Sequence, residues 1–330
     1  MTIQAMRAFQ MGKEGTRGTA VPATARLVGA LDITPIDEVK RDDTPIGVLS
    51  EVRGGRDIVI RKGSEMALEM AVSYEQLMYV LAMGVKGAVV GVGTSPTVWT
   101  YLAPETADPA PDTFTMEGQI TDGTTPLDVE IPYTFCPEFT ISGALGDMLK
   151  LKAALVGRAL ATSTFTPALT FPTVEQIPTS LCKVFIDDTW AGLGGTQVSA
   201  QVYSFDLTYK TGLGIGERVD GRATMDFTKY EFGAHGGTLG IVLEWKTTAA
   251  AERTKAASQA LRFVRISAAG SGTKELIIDC ACKHAKGDFW IDPAPQGPND
   301  VASLALVLAY DPTSAKSFQA VVKNAVVTLP

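Results

Sequence analysis

Cys280, Cys282 and His284 alternate in IIDCACKH, and thiolate and imidazole are the usual ligands of zinc. The spacing argues against a metal centre. On a strand, residues two apart sit about 6.5 Å from each other, whereas a zinc knuckle wraps its ligands around one ion. Both cysteines share the side of Leu276 and Ile278, so the pattern predicts buried core thiols. GLGIGE, from Gly212 to Glu217, lacks the closing glycine of a dinucleotide loop and no helical pattern follows it; a hairpin turn is expected. GSGTKE at Gly270 lacks the ending of a P-loop, and its Lys274 is expected to solvate a turn. Asp187 and Asp188 are neighbouring acids, but nothing places a base, nucleophile or metal beside them, so a solvated turn is the reading. No catalytic, cofactor-binding or metal-ligating set emerges, and the chain is not expected to be an enzyme.

The elements around these residues speak for β structure. The chain has 330 residues, 45% of them hydrophobic and 20% charged, with 32 glycines and 18 prolines. That is a well-buried chain with many turns, long enough for two cores. A formal charge of -7 and a pI near 5.0 oppose a protein that grips phosphate. No run approaches the roughly 20 apolar residues of a membrane helix, and MTIQAMRAFQMGKEG lacks a signal-peptide core, so a cytosolic chain with reduced thiols is expected.

FTISGALGDMLKLKAALVGRALA, from Phe139 to Ala161, reads as helix or strand. The strand reading is cleaner: Leu149, Leu151, Ala153 and Leu155 take one side of a period of two and Lys150 and Lys152 the other, while three glycines would weaken a helix. Ser64 to Val72 alternates as a half-buried strand. Ser73 then serves as N-cap of a short helix, with Gln76 as its capping-box partner and Gly84 as its stop. Residues 114–135 form a hairpin in which Met116, Val129 and Ile131 face the core while Glu117, Asp128 and Glu130 take the polar side. The second half repeats the order: a strand from Leu239 to Trp245, a helix capped by Thr248, a hairpin around Gly270, and SLALVLAY echoing Leu149-Lys150-Leu151. Two similar β domains follow, 1–165 and 166–330, each with one short helix, joined by the Thr- and Pro-rich segment 162–180.

Between Gly87 and Leu149 there is no Lys or Arg, while nine acids lie there. Alone this describes a solvated acidic face.

MGKEGTRGTAVPATARL, residues Met11 to Leu27, resembles the opening of tail tube proteins of long-tailed, non-contractile bacteriophages. The acidic hairpin leading into YTFCPEFTISGALGDMLKLKAALVGRAL, and CKVFIDDTWAGLGGTQVSAQVYSFDLTYKTGLG, are similar to strands of that family. The resemblance covers most of the chain and implies a tail-tube-like β-sandwich or barrel. It implies rings of six β domains stacked around a DNA channel in the virion tail, assembled in the host cytoplasm with a tape-measure protein and with tail-tip and terminator proteins. Two tube-like domains per chain predict a trimeric, pseudo-hexameric ring; a single domain with a large insertion predicts a hexamer. The segment Pro35–Arg56, with Asp37, Glu38, Lys40, Arg41, Asp42 and Asp43, then corresponds to the family's inter-subunit loop. Glu117, Asp128 and Glu130 are expected to line the lumen, past which DNA moves without specific binding. The competing reading is a two-domain β-sandwich binding module of adhesin or tail-fibre type, although aromatics at 8% form no carbohydrate platform.

Overall fold

The computed structural model describes residues 7–40, 57–87, 96–121, 126–293, 296 and 298–329. The fold is mainly β, with eighteen strands and two short α-helices among the described residues. The first half holds β1 (Arg7–Lys13), β2 (Ala25–Arg26), β3 (Ala30–Lys40), β4 (Ile58–Ala71), α1 (Leu77–Gly84), β5 (Thr97–Leu102), β6 (Phe114–Thr121), β7 (Pro126–Ala144), β8 (Lys150–Gly157) and β9 (Ala161–Thr162). The second holds β10 (Cys182–Asp187), β11 (Val202–Lys210), β12 (Leu213–Gly216), β13 (Lys229–Phe232), β14 (Gly236–Glu244), α2 (Thr247–Ala257), β15 (Arg262–Ala269), β16 (Glu275–His284), β17 (Val301–Leu308) and β18 (Phe318–Asn324). No described helix is long and apolar enough to cross a membrane.

Period-two patterns translate directly into strands. In β8, Leu151, Ala153 and Leu155 are buried and Lys150, Lys152 and Ala154 exposed. β4 does the same with Met66, Leu68 and Met70. The Ser73 hydroxyl accepts from the Gln76 amide at 3.2 Å, but Ser73 does not cap α1: the helix begins at Leu77 with Gln76 at its N-cap, and the box is not formed. The Gln76 side chain instead bonds the backbone of Arg26 and Val28. Thr248 does not cap α2 either: the helix begins at Thr247, and no side chain bonds its first turn.

The strands pair in one order twice. In the first half the ladders run β1–β6–β7–β8–β4–β3; in the second they run β10–β15–β16–β17–β14–β11. Both helices sit between corresponding strands. The long strands turn a corner: β7 shifts register between Phe135 and Glu138, with Tyr133 at φ 59°, and so pairs with β6 along its first part and with β8 along its second. Residues of both ladder groups, such as Met11, Phe114, Met116 and Ile131 against Leu68, Met70, Ile141 and Leu151, belong to one apolar core.

That core runs through both halves, and the sheet crosses the 165/166 boundary twice. β11 pairs with the end of β7 from Glu138 to Ala144, and β5 pairs with β18. Between β11 and β14, β12 and β13 form a small hairpin. It packs on the first half, where Phe227 meets Tyr133 and Phe135 edge-on, Tyr230 lies tilted against Phe135, and Arg158 donates to the carbonyls of Phe227 and Thr228 at 3.1 and 2.7 Å.

Candidate assembly surface

Seven strands, β3–β4–β8–β7–β11–β14–β17, form a continuous antiparallel ladder with one face on the core. Alternation decides what the other face shows. Leu68, Leu151, Ile141, Leu207, Leu239 and Leu306 are buried, so the residues between them, such as Glu69, Lys152, Thr140, Thr208 and Thr238, point away. These five lie on one row across successive strands, Glu69 opposite Lys152, Lys152 opposite Thr140, Thr140 opposite Thr208 and Thr208 opposite Thr238. Lys152 meets Glu69 at 2.6 Å, the two threonine hydroxyls at the β7–β11 junction are 2.9 Å apart, and Lys210 approaches Glu138 at 3.9 Å. The face is polar and carries both signs of charge side by side. Exposed ion pairs of this kind contribute little to stability, about 0–1 kcal/mol each, so the face owes its form to the backbone ladder behind it.

The two ends of this ladder differ from its middle. β3 pairs with β4 alone, which leaves its other edge open among the described residues. β11 occupies the corresponding place in the second half, and the two strands are alike residue by residue. In Ala30-Leu31-Asp32-Ile33-Thr34 and Ser204-Phe205-Asp206-Leu207-Thr208 the aspartate and threonine are identical and the inward positions are apolar in both. β8 and β17 agree similarly, Ala154-Leu155-Val156 standing where Ala305-Leu306-Val307 stand.

The expected lumen residues are placed differently. Glu117 does not face solvent: it is 2% exposed and its carboxylate accepts from Gln10 Nε2 (2.7 Å), the Ala23 amide (2.9 Å), and the Thr166 amide and hydroxyl (both 2.8 Å). The connector after β9 covers that face of β6, so the polar side of the hairpin is itself packed. Asp128 and Glu130 are half-buried and hold the same connector, Asp128 through the Phe165 amide and Glu130 through the Ser163 hydroxyl, while Asp128 also accepts from Gln119 of β6. The three do not project together. Other acids of the Lys/Arg-free stretch meet donors from elsewhere: Asp112 pairs with Lys13 and Lys86, Asp108 accepts from the Tyr230 hydroxyl, and Glu105 lies 3.4 Å from His235.

The segment expected as a loop from Pro35 is strand as far as Lys40. Asp37 and Glu38 stand opposite Lys62 and Arg61, and Lys40 opposite Ile58. All three are exposed; Arg41, Asp42 and Asp43 lie outside the described residues. Mixed charges and a proline read as a loop, yet these are the residues that edge strands carry.

The residues that first suggested chemistry have structural roles. Cys280 and Cys282 are buried core thiols, and burial together with the neighbouring sulfur raises the Cys280 pKa well above the usual thiol range. His284 lies 3.2 Å from Glu252, which also accepts from Arg262. The solvated-turn reading holds for Asp188, which is exposed in a bend and pairs with Lys255 and Arg262, but not for Asp187, which is buried and accepts the Gly194 amide at 3.1 Å. Gly214 and Gly216 belong to strand β12 rather than a turn. Lys274 is ion-paired, with Glu75 at 2.7 Å and Glu175 at 3.0 Å. Among the described residues, no group of three His, Cys, Asp or Glu is placed to hold a metal ion. Set against known proteins, the chain matches no family model and no curated protein.

Proposed function

We propose that this chain is a tail tube subunit of a long-tailed, non-contractile bacteriophage, three copies of which close into a ring that stacks into a tube for DNA. One observation carries the reading. The strand that joins the two halves, β11, occurs a second time as β3, with its outer edge open. An open edge is a row of unsatisfied donors and acceptors and a template for another strand. The step that takes the first half to the second, repeated from one copy to the next, is a head-to-tail contact, and such contacts close into rings where the rotation per step divides a full turn.

The dimensions agree with a conduit. Three copies giving seven strands each would close about 21 strands; at about 4.8 Å between strands and a tilt near 40°, the backbone diameter is roughly 40–45 Å. That admits a double helix after side chains are added. The second layer and both helices lie behind the sheet, where a closed cylinder has more room outside than in, so the polar row from Glu69 to Thr238 faces the channel. Its lysines are paired with carboxylates or interleaved with threonines, which leaves little for phosphate to grip. On this reading the β3–β4 arm reaches across the neighbouring copy, as the β12–β13 hairpin reaches across the first half. Length control by a tape-measure protein and capping by tip and terminator proteins follow from the same family resemblance.

Negative-stain electron microscopy of the concentrated protein, alone and with the tape-measure protein, tests the reading. Hollow rings or tubes are expected. Compact particles without a central channel under every condition would refute it and favour a surface-ligand binding module.

A further inference from the structure

The repeat also points to where an incoming strand is received. At the internal junction, β11 lies along Glu138-Phe139-Thr140-Ile141-Ser142 of β7, which lies in turn along β8 with Ser142 opposite Lys150. The second half has a matching stretch just after β16: Asp288-Phe289-Trp290-Ile291-Asp292. Acid, phenylalanine and isoleucine recur at the same spacing. The stretch is also in the matching place. The Asp292 amide donates to the Val301 carbonyl at 2.7 Å, and Val301 holds on β17 the position Lys150 holds on β8. Phe289 packs against the main core and Ile291 is half-buried, while Asp288 and Trp290 are exposed, which is the alternation of Phe139 and Ile141 against Glu138 and Thr140.

What hides the match is an irregular corner. β7 turns through Cys136 and Pro137; after His284 the chain turns through a longer stretch, with the Ala285 amide bonded to the Ala305 carbonyl at 2.8 Å before the chain loops out. Beyond it, no strand lies alongside residues 288–292 on the side away from β17 among the described residues. Apart from the Asp292–Val301 bond, the stretch is held by side chains among the described residues. Arg253 donates to Asp288 at 2.5 and 3.0 Å and lies 4.5 Å over the Trp290 ring, Trp245 lies 5.2 Å from Trp290, and the Phe289 amide is held by the Asp288 carboxylate at 2.8 Å.

We infer that residues 288–292 are the acceptor strand for β3 of a second copy of this chain, in the register of the β7–β11 junction. Ser142 opposite Asp206, Ile141 opposite Leu207 and Thr140 opposite Thr208 become Asp292 opposite Asp32, Ile291 opposite Ile33 and Trp290 opposite Thr34. Asp32 and Asp292 meet already engaged, by Arg7 at 3.4 Å and the Ser303 hydroxyl at 2.5 Å. The inference rests on the ring proposal only in taking a second copy as the partner.

Directly opposed residues on neighbouring strands have Cβ atoms about 4.5–5.5 Å apart, close enough for a disulfide after small adjustment, while diagonal ones are farther. Thr34 and Trp290 are exposed, so Thr34→Cys with Trp290→Cys leaves the core intact. Under mild oxidation this pair should give covalent dimers and trimers and no larger species, while the diagonal pair Thr34→Cys with Asp292→Cys should give at least tenfold less. In the unmodified protein the indole of Trp290, 60% exposed, becomes covered. Assembly should therefore shift tryptophan emission to the blue, and the Trp290→Phe variant should lose that shift. Rings that form while the in-register pair stays unlinked and the emission unchanged overturn the acceptor assignment but leave the ring proposal standing. A chain that stays monomeric at its highest soluble concentration overturns both.

Discussion

β11 and β3 are one strand in two circumstances. β11 has a neighbour on each side, β7 and β14, and its Leu207 and Tyr209 are sealed in the core. β3 has one neighbour among the described residues, and its end from Asp37 to Lys40 is exposed. The residues that suit both circumstances, aspartate and threonine outward and aliphatic or aromatic inward, are shared. The residues that differ are those of an edge: Pro35 stands where β11 has Tyr209. Pairing a strand intramolecularly makes it part of the fold; leaving its equivalent open makes assembly a separate step.

The sharpest contrast is between Glu117, buried among donors, and Glu69, exposed on the polar face of the sheet. Glu117→Lys leaves several donors facing a buried cation, and should cost about 3–5 kcal/mol in urea denaturation. The same change at exposed Glu69 should be close to neutral in folding. The next contrast tests the two strands directly. Leu207→Ala, at a fully buried position, should lower stability by about 3 kcal/mol, whereas Ile33→Ala, half-buried, should cost about 1 kcal/mol yet reduce assembly at least tenfold by light scattering. Equal folding costs for the two would break the distinction between paired and open strands. A smaller effect is expected at the Thr140–Thr208 pair, where Thr208→Val should cost under about 1 kcal/mol, since the lost hydroxyl bond is part-exposed.

The smallest effect is on pH. Glu175 ties the connector to the β15–β16 turn: the Ser271 hydroxyl and amide, then Lys274, hold its carboxyl at about 2 against an ordinary 4.5. A folded value below the unfolded one contributes stability that is complete above about 4.5 and is lost as pH falls toward 2. Glu175→Gln should flatten the pH dependence of the unfolding midpoint in that window, lowering the midpoint at neutral pH and leaving it nearly unchanged near pH 2.

Much of the sheet was legible because alternation is a local signal. β8, β4, the β6–β7 hairpin and the recurring strand–helix–hairpin order follow from residues such as Leu151 and Lys152. What was not legible depends on neighbours distant in sequence. Alternation puts Glu117 on a polar side but cannot show that Thr166, 49 residues away, covers it. β3 was hidden by Pro35 and the charges of Asp37, Glu38 and Lys40, which protect an edge and read as a loop. The kinship of EFTIS with DFWID was obscured because the corner before it is longer in the second half.

Cryo-electron microscopy of assembled rings, counting chains and tracing strands, tests the central claim most directly. The account predicts three chains and six equivalent β units per ring, with β3 of each copy lying along residues 288–292 of the next and the Glu69–Lys152–Thr140 row facing the channel. A ring of six chains, or one in which the β3 edge points away from any neighbour, would contradict it.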